Sequence, residues 1–222
     1  MWQHNTMAGR VRDLAHAMFG GRHRGRTVII DADHCDVFAS DRPLTDVAHT
    51  FAAISAHPDL VFRVTTTHPG RAANLLRTQR FWSYVDRFTE PTDGCGVVTD
   101  RGERILSNLV LGVPASTQHQ VSTRLASLQD TPVVARFLEV RGPIDVSAAV
   151  AGAEPGCRHG RLAPLDFVVV AGGAAPRPAD GGWVRRVHAQ CSRLGIAFYV
   201  DDREVLEHGG EQSRVLVGAR GE

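Results

Sequence analysis

Lysine is missing altogether: all 25 basic side chains of the 222-residue sequence are arginine. That removes the amine for a Schiff base, for a P-loop and for a lysine general base. The all-arginine usage has two readings, a GC-biased genome or selection for bidentate phosphate contacts. An excess of either charge is lacking too. The formal net charge is +1, so no global field draws the chain to nucleic acid or to an anionic membrane. No apolar run approaches the roughly 18 residues of a membrane helix. Residues 1–12 carry no apolar stretch of the signal-peptide kind. The expectation is a cytoplasmic protein without a membrane partner.

Cysteine is sparse and dispersed. Cys35, Cys95, Cys157 and Cys191 form no CxxC or CxxxC pair. Metal sites usually take two ligands from one turn, so these thiols read as ordinary reduced residues. A GxGxxG dinucleotide fingerprint is absent as well.

What is present is an apolar fraction of 43% with 22% charged residues, enough for the core of one domain. Residues 1–26 read as a short helix, 7–19, with a basic linker of Arg22, His23, Arg24 and Arg26. That linker lacks the interleaved aromatics of a single-strand binder, so nucleic acid is only weakly supported as a partner. From residue 27 to 222 the spacing predicts one α/β domain. Strands are expected over 27–31, 60–66, 108–113, 133–140, 166–171 and 196–200, with a further short one at 213–217. Helices are expected over 44–56, from Pro69 to about Gln79, over 118–128 and over 183–194. Residues 81–88 are aromatic and ambiguous, 90–103 reads as a loop, and 142–164 as a long connection. Short apolar strands alternating with amphipathic helices imply parallel βαβ units buried on both faces. A partial or complete barrel and an open doubly wound sheet both satisfy that pattern.

In either architecture ligands bind where strands end at their carboxyl termini. After the first strand stand Asp31, Asp33, His34 and Asp36, a set suited to a metal or to acid–base work. A solvated Asp-rich turn, with Ser40 or Asp41 capping the next helix, explains them equally. After the second come Thr66, His68 and Arg71, which suit an anion at a helix start or a plain threonine cap ahead of Pro69. Ser116 and Thr117 read as an N-cap, and Glu139 and Arg141 as a local pair. Gly172, Gly173 and Arg177 allow close backbone approach to a ligand or form an ordinary glycine turn. Asp201 and Asp202 read as a solvated acidic strand end.

These segments together resemble a phage-associated domain family of unknown function, whose members open with a three-cysteine motif and are related to radical-SAM enzymes. The resemblance spans about Thr27 to Asp201. It is carried by Asp36-Val37-Phe38, Phe62 to Arg71, Asn108 to Val113 with Gln118 and Arg124, and Arg136-Phe137-Leu138. Gly142 to Asp145, Asp166 to Gly173, Arg177-Pro178, Trp183 to Arg185 and Gln190-Cys191 complete it. It implies a partial (β/α) barrel of parallel strands like the radical-SAM core. The departures fall at strand ends. The three-cysteine segment has no counterpart in residues 1–26, and a [4Fe–4S] cluster needs about three thiolates presented together. The family's lysine in the threonine-rich stretch is Thr67, and the lysine closing its last strand is Asp201. Its acidic residue after the glycine pair is Ala174, and its glutamate after Val113 is Ser116.

A retained scaffold with a rewritten mouth implies a cluster-free, non-catalytic or repurposed member with no cofactor. Such a member would bind a small anionic ligand through Thr66, His68, Arg71, Gly172, Gly173 and Arg177, or a host protein. The alternative is a metal-assisted hydrolase or transferase on a nucleotide-like substrate, using Asp31, Asp33, His34 and Asp36.

Overall fold

The structure is a computed structural model, and it describes residues 27–89, 96–98, 102–151, 165–171 and 182–201. The expected helix at 7–19, the strand at 213–217 and the residues Gly172, Gly173, Arg177 and Asp202 lie outside the described residues.

Six strands form one parallel sheet: β1 (Thr27–Ile30), β2 (Val61–Thr65), β5 (Leu109–Ala115), β6 (Ala135–Val140), β7 (Phe167–Val170) and β8 (Ala197–Val200). A separate antiparallel pair, β3 (Gly96–Val98) and β4 (Arg104–Leu106), precedes β5. Eight-residue and longer helices occupy the crossovers: α2 (Leu44–Ala56), α3 (Pro69–Leu76), α4 (Gln79–Phe88), α5 (Gln118–Gln129) and α7 (Gly182–Leu194). Two short ones, α1 (Ala32–Cys35) and α6 (Val146–Ala151), complete the set. Among the described residues no helix is long and apolar enough to cross a membrane.

The spatial order β1-β2-β5-β6-β7-β8 follows the chain without reversal. That decides between the two architectures left open by periodicity. A doubly wound sheet reverses its order at a switch point; here every crossover runs the same way. Right-handed crossovers then place the helices on one face, and the sheet curls into a half-barrel, the expected partial (β/α) barrel.

The two faces are chemically distinct because side chains alternate along each strand. The outer positions Phe62, Val64, Leu109, Leu111, Leu138, Val168 and Phe198 merge with the helices into one large apolar core. On the inner face Val110, Ala135, Phe137, Phe167 and Val169 form a smaller cluster with Ile105 and Val134. Phe137 and Phe167 stack with centroids 5.2 Å apart, and Tyr199 meets Phe167 edge-on at 6.0 Å. Gly112 pairs with Phe137 in register, and a Cβ there would lie 2.4 Å from that ring. The concave face is therefore filled by aromatics, and glycine at 112 is what admits Phe137.

Local signals account for most boundaries. In α2 the buried Val47, Ala48, Phe51 and Ile54 repeat at helical spacing. Thr78 caps α4 by accepting from Phe81 N, and Thr117 caps α5 by accepting from Gln120 N. Gly195, at φ +68°, ends α7, with Ile196 N donating to Cys191 O. Asn108 Nδ2 faces the carbonyls of Ile54, His57 and Leu60 and so fastens the end of α2 to β5.

Several expectations need correction. The ambiguous aromatic stretch is helix α4, because Phe81, Trp82 and Val85 bury one face. The loop expected over 90–103 contains β3, and the connection over 142–164 contains α6. Neither Ser40 nor Asp41 caps α2; its N-cap is Pro43, without a side-chain hydrogen bond.

Candidate functional site

The carboxyl ends of the strands form the mouth of the half-barrel, and inward-facing polar side chains gather there. Arg63 is at the centre. It rises from β2 with its guanidinium 5.5 Å from the Phe137 centroid. Its Nη2 donates to Glu139 Oε2 at 3.1 Å and its Nη1 to Asp201 Oδ2 at 2.7 Å. All three side chains are buried, and charge-assisted bonds of this kind offset the loss of water only when geometry is good. Asp201 is thus not a solvated strand end. It is 8% exposed and carries one limb of a buried ion-pair triad.

Arg141, one residue beyond β6, extends the network outward. Its Nε and Nη2 both donate to Glu139 Oε1, at 2.9 and 2.7 Å. The expected Glu139–Arg141 pair is present, but it is one link of a longer chain. Arg141 also donates through Nη1 to Asp33 Oδ2 and lies 3.4 Å from Asp31 Oδ1. Asp31 in turn accepts from Thr65 Oγ1 at 3.3 Å, while Ala32 N donates to the same hydroxyl at 2.8 Å. Burial works against the Arg141 charge, yet Glu139 and Asp33 more than restore it and hold its pKa above the ordinary arginine value.

Arg124, on α5, completes the basic side of the mouth. It donates to the Pro114 carbonyl at the end of β5. Its pKa is lowered, first by burial and then by the Arg141 charge; Asp36 and Asp33 act in the opposite sense. Pro114 pairs in register with Glu139, and Arg141 N donates to Ala115 O, so Arg124 and Arg141 are attached at the ends of adjoining strands.

Asp36 has a different task. Its carboxylate accepts from Thr66 Oγ1 (2.7 Å), Thr67 N (2.8 Å), Thr67 Oγ1 (2.8 Å) and Phe38 N (3.0 Å). His68 Nδ1 lies 3.1 Å away. Burial tends to raise the Asp36 pKa, but the hydrogen bonds from Thr66, Thr67 and His68 outweigh it, so the net shift is downward. One carboxylate thereby ties the β1–α2 connection to the β2–α3 loop.

The sequence candidates are distributed as follows. Thr66 and His68 are brought together by Asp36; Thr66 serves the loop, while the His68 side chain is 40% exposed. Arg71 turns its guanidinium to the carbonyls of Ala39 and Arg42. Asp31 and Asp33 face Arg141, and His34 lines an open cleft of about 570 Å³ beside β1 with Ile29, Ile30, Asp31 and Cys35. Among the described residues no three His, Cys, Asp or Glu side chains are grouped as a metal site. Sequence reading missed Arg63 as the organiser, because inside a strand it carries no motif. Its signal is a charged residue in an otherwise apolar, two-sided strand.

Two of the four thiols are among the described residues, and they stand in different surroundings. Cys191 is buried in the apolar layer between α7 and the sheet, where loss of water pushes its thiol pKa up to about 12. Cys35 is exposed beside the mouth, 2.8 Å from Arg42 Nη2. Cys95 and Cys157 lie outside the described residues.

No curated protein and no solved structure matches the chain. A family model does, over residues 5–210, and with nearly the whole sequence matched the chain belongs to that family, described as a protein of unknown function (DUF5131).

Proposed function

We propose that this chain is a cluster-free member of a radical-SAM-like, phage-associated family, retained as a binding scaffold that takes a small anionic ligand at the barrel mouth. The observation behind this reading is the mutual engagement of the mouth's ionisable groups. Glu139 and Asp201 are held by Arg63, Asp31 and Asp33 meet Arg141, and Asp36 is held by loop donors. Groups so engaged position backbone and one another; a general acid or base must instead reach a substrate proton. Sequestration of Cys191 in the apolar layer adds to this, since it withdraws one thiolate from any set.

The guanidiniums favour an anion over other ligands. Arg141 stands at the rim, 22% exposed, and Arg124 reaches the end of the adjoining strand β5; planar guanidinium donors suit oxyanions. His68, whose side chain is 40% exposed, would add a donor from the β2 side.

Anaerobic reconstitution of the full chain with iron and sulfide tests the first half of the reading. The expected result is a colourless protein without iron–sulfur charge-transfer absorption and without reductive cleavage of S-adenosylmethionine. A brown, stoichiometrically iron-loaded protein overturns it. For the second half, thermal unfolding across a panel of small phosphates and carboxylates should show a concentration-dependent rise for at least one class. A flat response across the panel removes the ligand reading.

A further inference from the structure

Building on the ligand reading above, we infer that Arg141 and Arg124 form a phosphate anchor, and that Asp33 on α1 is the chain's own competitor for it. The geometry of α1 carries this inference. The helix is a single turn with no buried residue, so little apolar packing holds it in place. Yet it reaches across the mouth: Asp33 belongs to the end of β1, and Arg141 to the end of β6, with β2 and β5 between them. Its attachments are polar: the Arg141 contacts of Asp31 and Asp33, the Thr65 hydroxyl, and Arg42 Nη2 donating to Cys35 Sγ.

The charges give this strap its meaning. Across the mouth the guanidiniums of Arg63, Arg124 and Arg141 are matched by the carboxylates of Glu139, Asp201 and Asp36. Asp31 and Asp33 add two negative charges beyond that balance, and these are what an incoming anion can replace at Arg141. Arg141 is firmly held from below by Glu139, but from above by Asp33, whose side chain is 54% exposed. An exposed ion pair is the weak link of such a chain. A phosphate approaching from solvent meets Arg141 in the position Asp33 occupies, with Arg124 held at the Pro114 carbonyl on the adjoining strand; its several oxygens can take donors from two guanidiniums, where the Asp33 carboxylate engages one. Displacing Asp33 from Arg141 leaves Glu139 paired with both arginines, so the buried part of the network need not change.

Inorganic phosphate, titrated into the full chain at constant ionic strength by calorimetry, tests this, with acetate as the second probe. Asp33→Asn removes the competitor on an exposed turn and should tighten phosphate roughly two- to fivefold, the size an exposed ion pair commands. Arg141→Gln and Arg124→Gln should each weaken it by about tenfold or more. Asp33→Asn that leaves phosphate affinity unchanged or lower overturns the inference, as does undiminished binding by Arg141→Gln; either leaves an anion site elsewhere in the mouth intact. Acetate binding tighter than phosphate overturns the assigned ligand class. Absence of phosphate binding in both the native chain and Asp33→Asn overturns the inference and the phosphate part of the ligand reading together.

Discussion

Arg63 Nη1 meets Asp201 Oδ2 at 2.7 Å although four strand spacings separate β2 from the end of β8. In a flat sheet those strands would lie roughly 19 Å apart. The contact exists because the sheet curls, and it joins opposite sides of the half-barrel through a buried charge. Glu139, on β6, lies between them and completes the triad.

Removing that cation leaves two buried carboxylates facing each other. Arg63→Met is expected to destabilise the fold by about 3–5 kcal/mol, the cost of breaking a buried ion-pair network by removing one partner. Arg63→Met combined with Glu139→Gln and Asp201→Asn should recover a substantial part of the loss. Urea unfolding of the single and triple variants measures both; a single variant within about 1 kcal/mol of the native chain would show that the triad contributes little.

Gly112 is required by shape. Its Cβ would intrude on the Phe137 ring, so Gly112→Ala should cost about 1–3 kcal/mol by overpacking. Adding Phe137→Leu makes room, so the double variant should lose less than the two single losses summed. A double-mutant cycle in denaturant reads that coupling.

Asp36 predicts a pH dependence. Its folded pKa lies below its unfolded value, so its ionised form stabilises the fold. That contribution is complete above the ordinary carboxylate range, near pH 4, and fades as pH falls through the lower folded value. Asp36→Asn should therefore lower stability at neutral pH by about 1–3 kcal/mol, because an amide sets a donor against Thr67 N–H. Its acid limb should be flatter than that of the native chain. Thermal midpoints measured from pH 7 down to pH 2 decide the matter; parallel curves would contradict the account.

Thiol labelling separates Cys35 from Cys191. With its pKa pushed up to about 12 and its side chain in the core, Cys191 should not react with a thiolate-selective reagent in the native protein. Cys191→Ser is expected to leave the native labelling stoichiometry unchanged and to lower it by one in denaturant. Cys35→Ser should lower both, since Cys35 is exposed.

Much of the scaffold is readable along the chain because its causes are local. The helical repeat of Val47, Ala48, Phe51 and Ile54 and the unbroken apolar strands around Leu109 and Val168 announce themselves in short windows. Residues 81–88 misled because aromatics serve strands and helices alike until burial picks a face. At the site, Thr66 and His68 were legible as strand-end residues, but their dependence on Asp36, some thirty positions away, was not.

By itself the sequence determined the alternation of strands and helices, the exclusion of lysine chemistry, and the scatter of four thiols. Those follow from composition and from periods of two and 3.6 residues, which neighbouring residues enforce on each other. Only the tertiary structure decided that the crossovers wind one way, that Arg63 finds Glu139 and Asp201, and that Arg141 reaches Asp31 and Asp33. Such pairings join residues up to 138 positions apart. They depend on how far the sheet bends, a property of all six strands packing together that no local window contains.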